Sequence, residues 1–257
     1  MEPHACRSDE GVPALICLHD VHKRFGEKTV LAGLTLAVFP GETVVILGPS
    51  GSGKSVTLRH IIGLERPDAG QVFVGGEQIE HLPERKLRPV REKIGFLFQG
   101  GALFDSLDVF GNIAFPLREA LWLPERIERR VFEVLELVDL EPRVAQLMPS
   151  SLSGGMRKRV ALARAIAVKP EAILYDEPTT GLDPVTANTI NDLIRSMQAR
   201  LGVTSVVVTH DIESAFHVGD RITFLHEGRL HFTGTVEQAR ATDDPILAGF
   251  LAGRSQG

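Results

Sequence analysis

The run Gly48-Pro49-Ser50-Gly51-Ser52-Gly53-Lys54-Ser55, set between the apolar segment Thr43–Leu47 and a helix-forming stretch, constrains this chain more than any other feature. Its closely spaced glycines let backbone N–H groups turn inward around phosphate oxygens without Cβ clashes. Lys54 can bring positive charge to the β and γ phosphates of a nucleotide, and the Ser55 hydroxyl can ligate Mg²⁺. The helix N-terminus behind them adds partial positive charge. Gly48 through Val56 is therefore a candidate triphosphate cradle.

Such a loop belongs at the carboxyl edge of an α/β sheet. Thr43–Leu47, Ile94–Phe98, Ala172–Tyr175 and Val203–Val208 read as strands buried on both faces, the pattern of a parallel sheet covered by helices. Each is followed by a polar or glycine-rich element: Gly48, Gln99, Asp176–Glu177 and Thr209–His210. Helices are expected over Lys54–Gly63, over Glu125–Val138 with an apolar stripe, and from Asp183 (N-cap) and Pro184 (first turn) to about Arg200. Two alternating segments in 14–38 suit a small antiparallel sheet. The region between Gln99 and Pro170 reads as an inserted helical subdomain, approximately 100–170.

The 257 residues suffice for one large α/β domain. Hydrophobic residues make up 43% and charged residues 24%, which excludes a disordered chain. A net charge of −5 speaks against a dedicated nucleic-acid binder. No apolar run reaches the roughly 18 to 20 residues of a membrane helix, and Met1–Val12 has no apolar core, so it is not read as a signal peptide. Cys6 and Cys17 lack metal spacing and are expected to be reduced thiols of a cytosolic protein.

Two further elements carry chemistry. At the end of Ala172–Tyr175, Asp176 can serve a metal and Glu177 a nucleophilic water. Adjacent carboxylates repel, and a divalent cation removes that penalty. Ser151-Leu152-Ser153-Gly154-Gly155-Met156 leads into Arg157-Lys158-Arg159 and a helix through Val168. Ser153 is a good N-cap, yet capping does not require two glycines, and three basic residues in a first turn oppose the helix dipole. A bound anion near Ser153, or nearby acidic side chains, would relieve that mismatch.

The phosphate loop, Gln99, the Leu152-Ser-Gly-Gly-Met156 signature, Asp176-Glu177, Gly181-Leu-Asp183 and His210 follow one another in the order seen in ABC ATPases. The chain resembles that family from about Leu15 to Gly234. The resemblance implies a P-loop NTPase fold: a mainly parallel sheet core, a small N-terminal antiparallel β subdomain and an inserted helical subdomain. The ATPase domain would span 14–240, followed by a short extension over 241–257. It implies ATP and Mg²⁺ as ligands, with Phe25 stacking on adenine, Ser55, Gln99 and Asp176 serving the metal, Glu177 the attacking water, and His210 the γ-phosphate. It also implies a head-to-tail dimer in which Ser153, Gly154, Gly155 and Asp183 face the partner copy's nucleotide.

The segment Gly100–Glu119 keeps Leu103, Phe104, Leu107, Val109, Phe110 and Phe115, either as subdomain core or as a groove for a short helix of a membrane partner. With Leu152–Arg159 and Tyr175–Asp183 it is similar to the ATPase subunits of Mla-type phospholipid transporters. That resemblance implies a peripheral place on the cytoplasmic face of the inner membrane, a permease partner and, through it, an MCE-type lipid-binding protein. Some such systems add a STAS-domain subunit; the short stretch from Asp244 to Gly257 leaves tail-mediated contacts and that partner open. Transport of another substrate is the alternative. A soluble ABC ATPase of DNA repair or translation fits less, since each motif occurs once and no heptads are sustained.

Overall fold

A computed structural model of the chain describes residues 6–8 and 11–254. Most of Met1–Val12, read above as no leader, and the last three residues of the 241–257 extension lie outside the described residues. In chain order the elements are β1 (Ile16–Phe25), β2 (Lys28–Val38), β3 (Thr43–Leu47), α1 (Lys54–Ile61), β4 (Ala69–Val74), β5 (Glu77–Gln78), α2 (Glu84–Glu92), β6 (Ile94–Leu97), α3 (Val109–Glu119), α4 (Pro124–Leu137), α5 (Gly154–Ile166), β7 (Ala172–Asp176), α6 (Pro184–Leu201), β8 (Thr204–Thr209), α7 (Ile212–Val218), β9 (Arg221–His226), β10 (Arg229–Thr235), α8 (Val236–Arg240) and α9 (Pro245–Leu251). They divide into two compact units, Met1–Val90 with Thr204–Gly257, and Arg91–Val203.

The first unit contains the antiparallel sheet expected at the amino end, in the order β2-β1-β4-β5. It also contains β3, a strand with all five residues buried, flanked by β8 and β9 as parallel neighbours. Burial on both faces is why β3 reads as an unbroken apolar run rather than an alternating one. An Arg221–Glu42 ion pair of 2.6 Å ties the start of β9 to the turn before β3, and Arg221 also donates to the Ala37 carbonyl.

Cys6 and Cys17 correct the expectation of reduced thiols: they form a disulfide, and both are fully buried. The Ala14 amide donates to the Cys6 carbonyl at 2.8 Å, folding the amino-terminal segment back beside β1. Ala14 and Phe73 complete a small apolar cluster there, with Ala37 and Phe39 packed on it. Spacing along the chain could not reveal a pairing made by that fold-back.

In the second unit β6 and β7 pair in parallel from Ile94↔Ala172 to Leu97↔Tyr175. Helices α3, α4 and α5 pack on one another. Buried Arg130 of α4 donates to the Ala167 and Ile166 carbonyls at 2.9 and 2.8 Å, satisfying the otherwise orphaned end of α5. Helix α6 opens on Asp183 and Pro184 and closes at Gly202, whose φ of 65° is the left-handed cap geometry. Its stripe Ile190, Leu193, Ile194 and Met197 is buried, as its spacing predicts. Among the described residues no helix is long and apolar enough to cross a membrane.

Candidate functional site

The first unit assembles the residues expected from sequence to bind phosphate. Strands β3 and β8 run parallel with Leu47 opposite Thr209, so Gly48 and His210 leave the same sheet edge on adjacent strands. Two hydrogen bonds hold the turn carrying His210: the Asp211 amide donates to Thr209 Oγ1 at 3.0 Å, and Asp211 caps α7 by accepting from the Ser214 amide. In the loop, a Cβ at Gly48 would lie 2.4 Å from the Leu225 carbonyl oxygen, so only glycine fits there. Lys54, 6% exposed, points its ammonium back into the loop, donating to the Gly48 and Pro49 carbonyls at 2.8 and 3.0 Å.

Ser52 Oγ is buried with no hydrogen-bond partner among the described residues. A hydroxyl in that position is costly unless something accepts or donates to it. The inward lysine, the orphaned hydroxyl and the glycine-lined turn fit a phosphate group. Ser55 and Val56 lie half-buried in the first turn of α1. Phe25, at the end of β1, is 45% exposed, and Lys23 Nζ sits 5.2 Å from the centroid of its ring.

The second unit assembles the carboxylates. Asp176 ends β7 and Glu177 follows it, both mostly buried at 9% and 8% exposure. Glu177 has φ of 49°, a left-handed conformation that costs a non-glycine residue about 1–3 kcal/mol and persists only where neighbours enforce it. Thr180 contributes to that enforcement: its hydroxyl donates to Glu177 Oε2 at 3.1 Å, and its amide to the Glu177 carbonyl at 3.3 Å. Gln99, two residues beyond β6, is exposed, and the parallel register of Leu97 with Tyr175 sends it from the same edge as Glu177.

Lys158, third from the signature glycines on α5, is the residue that sequence reading passed over at this centre. Only 6% exposed, it donates to the carbonyls of both Gln99 and Glu177, the latter at 3.4 Å. Burial pulls its pKa below the usual lysine value, while Asp176 and Glu177 pull it back upward. The only sequence signal was its membership of the basic triplet 157–159. In the same triplet Arg157 donates to the Leu152 carbonyl at 2.9 Å and Arg159 to the Asp139 carbonyl at 3.1 Å, so all three cations serve backbone oxygens, and Lys158 has the Asp176 and Glu177 carboxylates near it as well.

Ser153 caps α5, its Oγ accepting from the Met156 amide at 3.2 Å. Ser153 and Gly154 are exposed, whereas Gly155 is buried against α6, where a Cβ would lie 2.5 Å from Thr186 Cγ2. The Thr186 hydroxyl donates to Asp183 Oδ2 at 2.5 Å, and Asp183 Oδ1 accepts from the Val185 and Thr186 amides. The Thr186 hydroxyl first, and these amides with it, hold the Asp183 carboxyl below the usual carboxylate range. Signature and Asp183 thus form one surface patch, offered outward by the starts of two helices.

The apolar stretch after Gln99 is divided. Val109 is fully buried, while Phe104 and Phe115 stand 41% exposed with ring centroids 4.7 Å apart. Buried Asn112, also missed from sequence, fixes this loop by accepting from the Phe104 amide and donating to the carbonyls of Phe104, Leu107 and Asp108. Arg164 supports it from α5, donating to the Gly101 and Ala102 carbonyls at 3.0 and 2.8 Å.

Comparison with known proteins places the chain in a family. The family described as ABC transporter matches residues 31–180. The intermembrane phospholipid transport system ATP-binding protein MlaF of Haemophilus influenzae is 41% identical over 233 residues, 90% of this chain and 88% of that protein. The sulfate/thiosulfate import ATP-binding protein CysA of Synechocystis is 42% identical over 92% of this chain and 65% of its own length. Among solved structures, the dimeric ATP-binding cassette MJ0796, in a post-hydrolysis state bound to ADP and Pi, superposes with a TM-score of 0.79 at 37% identity, covering 86% of this chain and 98% of that one.

Proposed function

Since the chain belongs to the ABC transporter family and is an ATP-hydrolysing subunit of that kind, we propose that two copies of it drive phospholipid movement from beneath a membrane permease. The observation that carries the motor role is the pairing of β3 with β8, which delivers the phosphate loop and His210 to one edge. In this reading Gly48–Val56 hold the triphosphate, with Lys54 neutralising its terminal oxygens and Phe25 stacking on the base. Ser55, Gln99 and Asp176 are hard oxygen donors of the kind Mg²⁺ takes; bound there, the ion would spread the charge developing on the phosphoryl oxygens. Glu177 orients and deprotonates the attacking water, and His210 holds the γ-phosphate. Ser153, Gly154, Gly155 and Asp183 close over the nucleotide of the second copy.

The phospholipid cargo rests on the likeness to MlaF. A second reading, import of a different solute, draws on the comparable identity to CysA. The exposed Phe104–Phe115 pair suits a short helix of the permease. An MCE-type lipid-binding protein and a peripheral place on the cytoplasmic face of the inner membrane follow from the phospholipid reading, which leaves a STAS-domain subunit open. Glu177→Gln tests the motor: ATP binding is retained, turnover falls at least about hundredfold, and a nucleotide-bound dimer accumulates. A variant that stays monomeric with Mg²⁺ and ATP, or that keeps its turnover, would overturn the scheme. Phospholipid bound to the co-purified permease assembly would decide the cargo, and its absence beside another solute would favour the second reading.

A further inference from the structure

We propose that Lys158 is a positioning residue that ties the backbone of Gln99 to that of Glu177, holding the two together at the carboxylate centre. The inference rests on the roles given above to Gln99 and Glu177. Its ammonium reaches carbonyls 59 and 19 residues away in sequence, and they belong to residues just beyond the ends of the two strands of one parallel pair. An ammonium buried to this degree is expensive unless its donors are used, and an apolar side chain of similar volume would fill the space at no such cost. Packing alone therefore does not account for a lysine here.

The bonds go to backbone oxygens, so they fix where the two chain segments lie irrespective of what their side chains are doing. Each segment needs fixing. Glu177 holds a left-handed φ that its neighbours must enforce. Gln99 stands exposed at the head of a loop whose Gly101 and Ala102 also have positive φ. Arg164, further along α5, grips the carbonyls of Gly101 and Ala102. Helix α5 thus holds the Gln99 loop at two points and Glu177 at one.

Lys158→Met in the full chain is the test, read by steady-state hydrolysis and by amide hydrogen exchange without nucleotide. Expected are a fall in kcat of about tenfold or more with KM for ATP within about threefold, since ground-state binding belongs to other residues. Exchange at 99–103 and 177–180 should quicken about fivefold or more, while the middle of α6 keeps its protection. If Lys158→Met lowers the melting midpoint by more than about 5 °C, Lys158→Gln is judged by the same two measurements. Unchanged exchange in both segments, or kcat within about twofold of the parent, would overturn the proposal. Glu177→Gln run alongside separates the failures: loss there with none at Lys158 removes only the positioning role, whereas no loss at Glu177 removes the reading on which it stands.

Discussion

The two compact units solve the problem of holding an anion's chemistry in opposite ways. In the first, the phosphate loop is local, although His210 and Phe25 come from other strands: a strand, a glycine turn and a helix start contribute its successive residues, and Lys54 folds back onto carbonyls five and six residues before it. In the second, Gln99 and Glu177 are far apart in sequence and are held by a cation from a third place in the chain. A site made from consecutive backbone depends little on distant packing. One made from separate strand ends depends on it heavily.

The largest expected effect is in the local half. Lys54→Ala should weaken ATP binding about hundredfold, because charge-assisted hydrogen bonds are worth about 1.5–3 kcal/mol each and the lysine can give two to the phosphates. Isothermal titration checks this, with Lys158→Met as its counterpart in the other half, where affinity should hold. Equal losses in the two variants would erase the contrast between a binding half and a positioning half.

That contrast also explains what could be read from sequence. The strand Thr43–Leu47, the phosphate loop and the Asp183–Pro184 helix start were legible because each depends on neighbouring residues: burial on both faces, positive-φ glycines, a cap and a proline. Lys158, Arg164 and Asn112 were not, since their partners are carbonyl oxygens whose positions exist only after folding. Read along the helix, the basic triplet 157–159 is a charge mismatch to be relieved by an anion or by acidic side chains; the fold adds a carbonyl partner for each cation and brings Asp176 and Glu177 near Lys158. Cys6 and Cys17 failed for the same reason, their pairing being a product of the fold-back before β1.

The paired signature glycines offer a sharper division within the second unit. Gly155→Ala puts a Cβ 2.5 Å from Thr186 Cγ2 and should cost about 1–3 kcal/mol of stability, seen as a lower melting midpoint. Thr186→Ser, which removes that methyl and keeps the hydroxyl on Asp183, should recover most of the loss. At Gly154 the nearest atom would be Leu182 Cδ2 at 3.5 Å, an ordinary contact, so Gly154→Ala should leave the fold intact. Any defect of Gly154→Ala then belongs to the face shown to a second copy, and its measure is loss of the ATP-dependent dimer. A Gly154→Ala protein that dimerises normally would remove the partner role from that glycine.

The smallest effect concerns Asp183, where the cap and the proposed partner-facing role coincide in one side chain. Its carboxyl accepts from the Thr186 hydroxyl and the first amides of α6, which depresses its pKa. A depressed carboxyl pKa gives stability that is present above the unfolded value of about 4 and is lost as pH falls through the folded one. Asp183→Asn keeps a good cap but cannot titrate. Between pH 7 and pH 3 its melting midpoint should therefore fall slightly less than the parent's, a difference visible only below about pH 4 because the carboxyl is exposed to solvent. Parallel curves for the two proteins would mean that the cap at α6 acts through shape alone, and that whatever charge contributes at this position is felt only by the second copy.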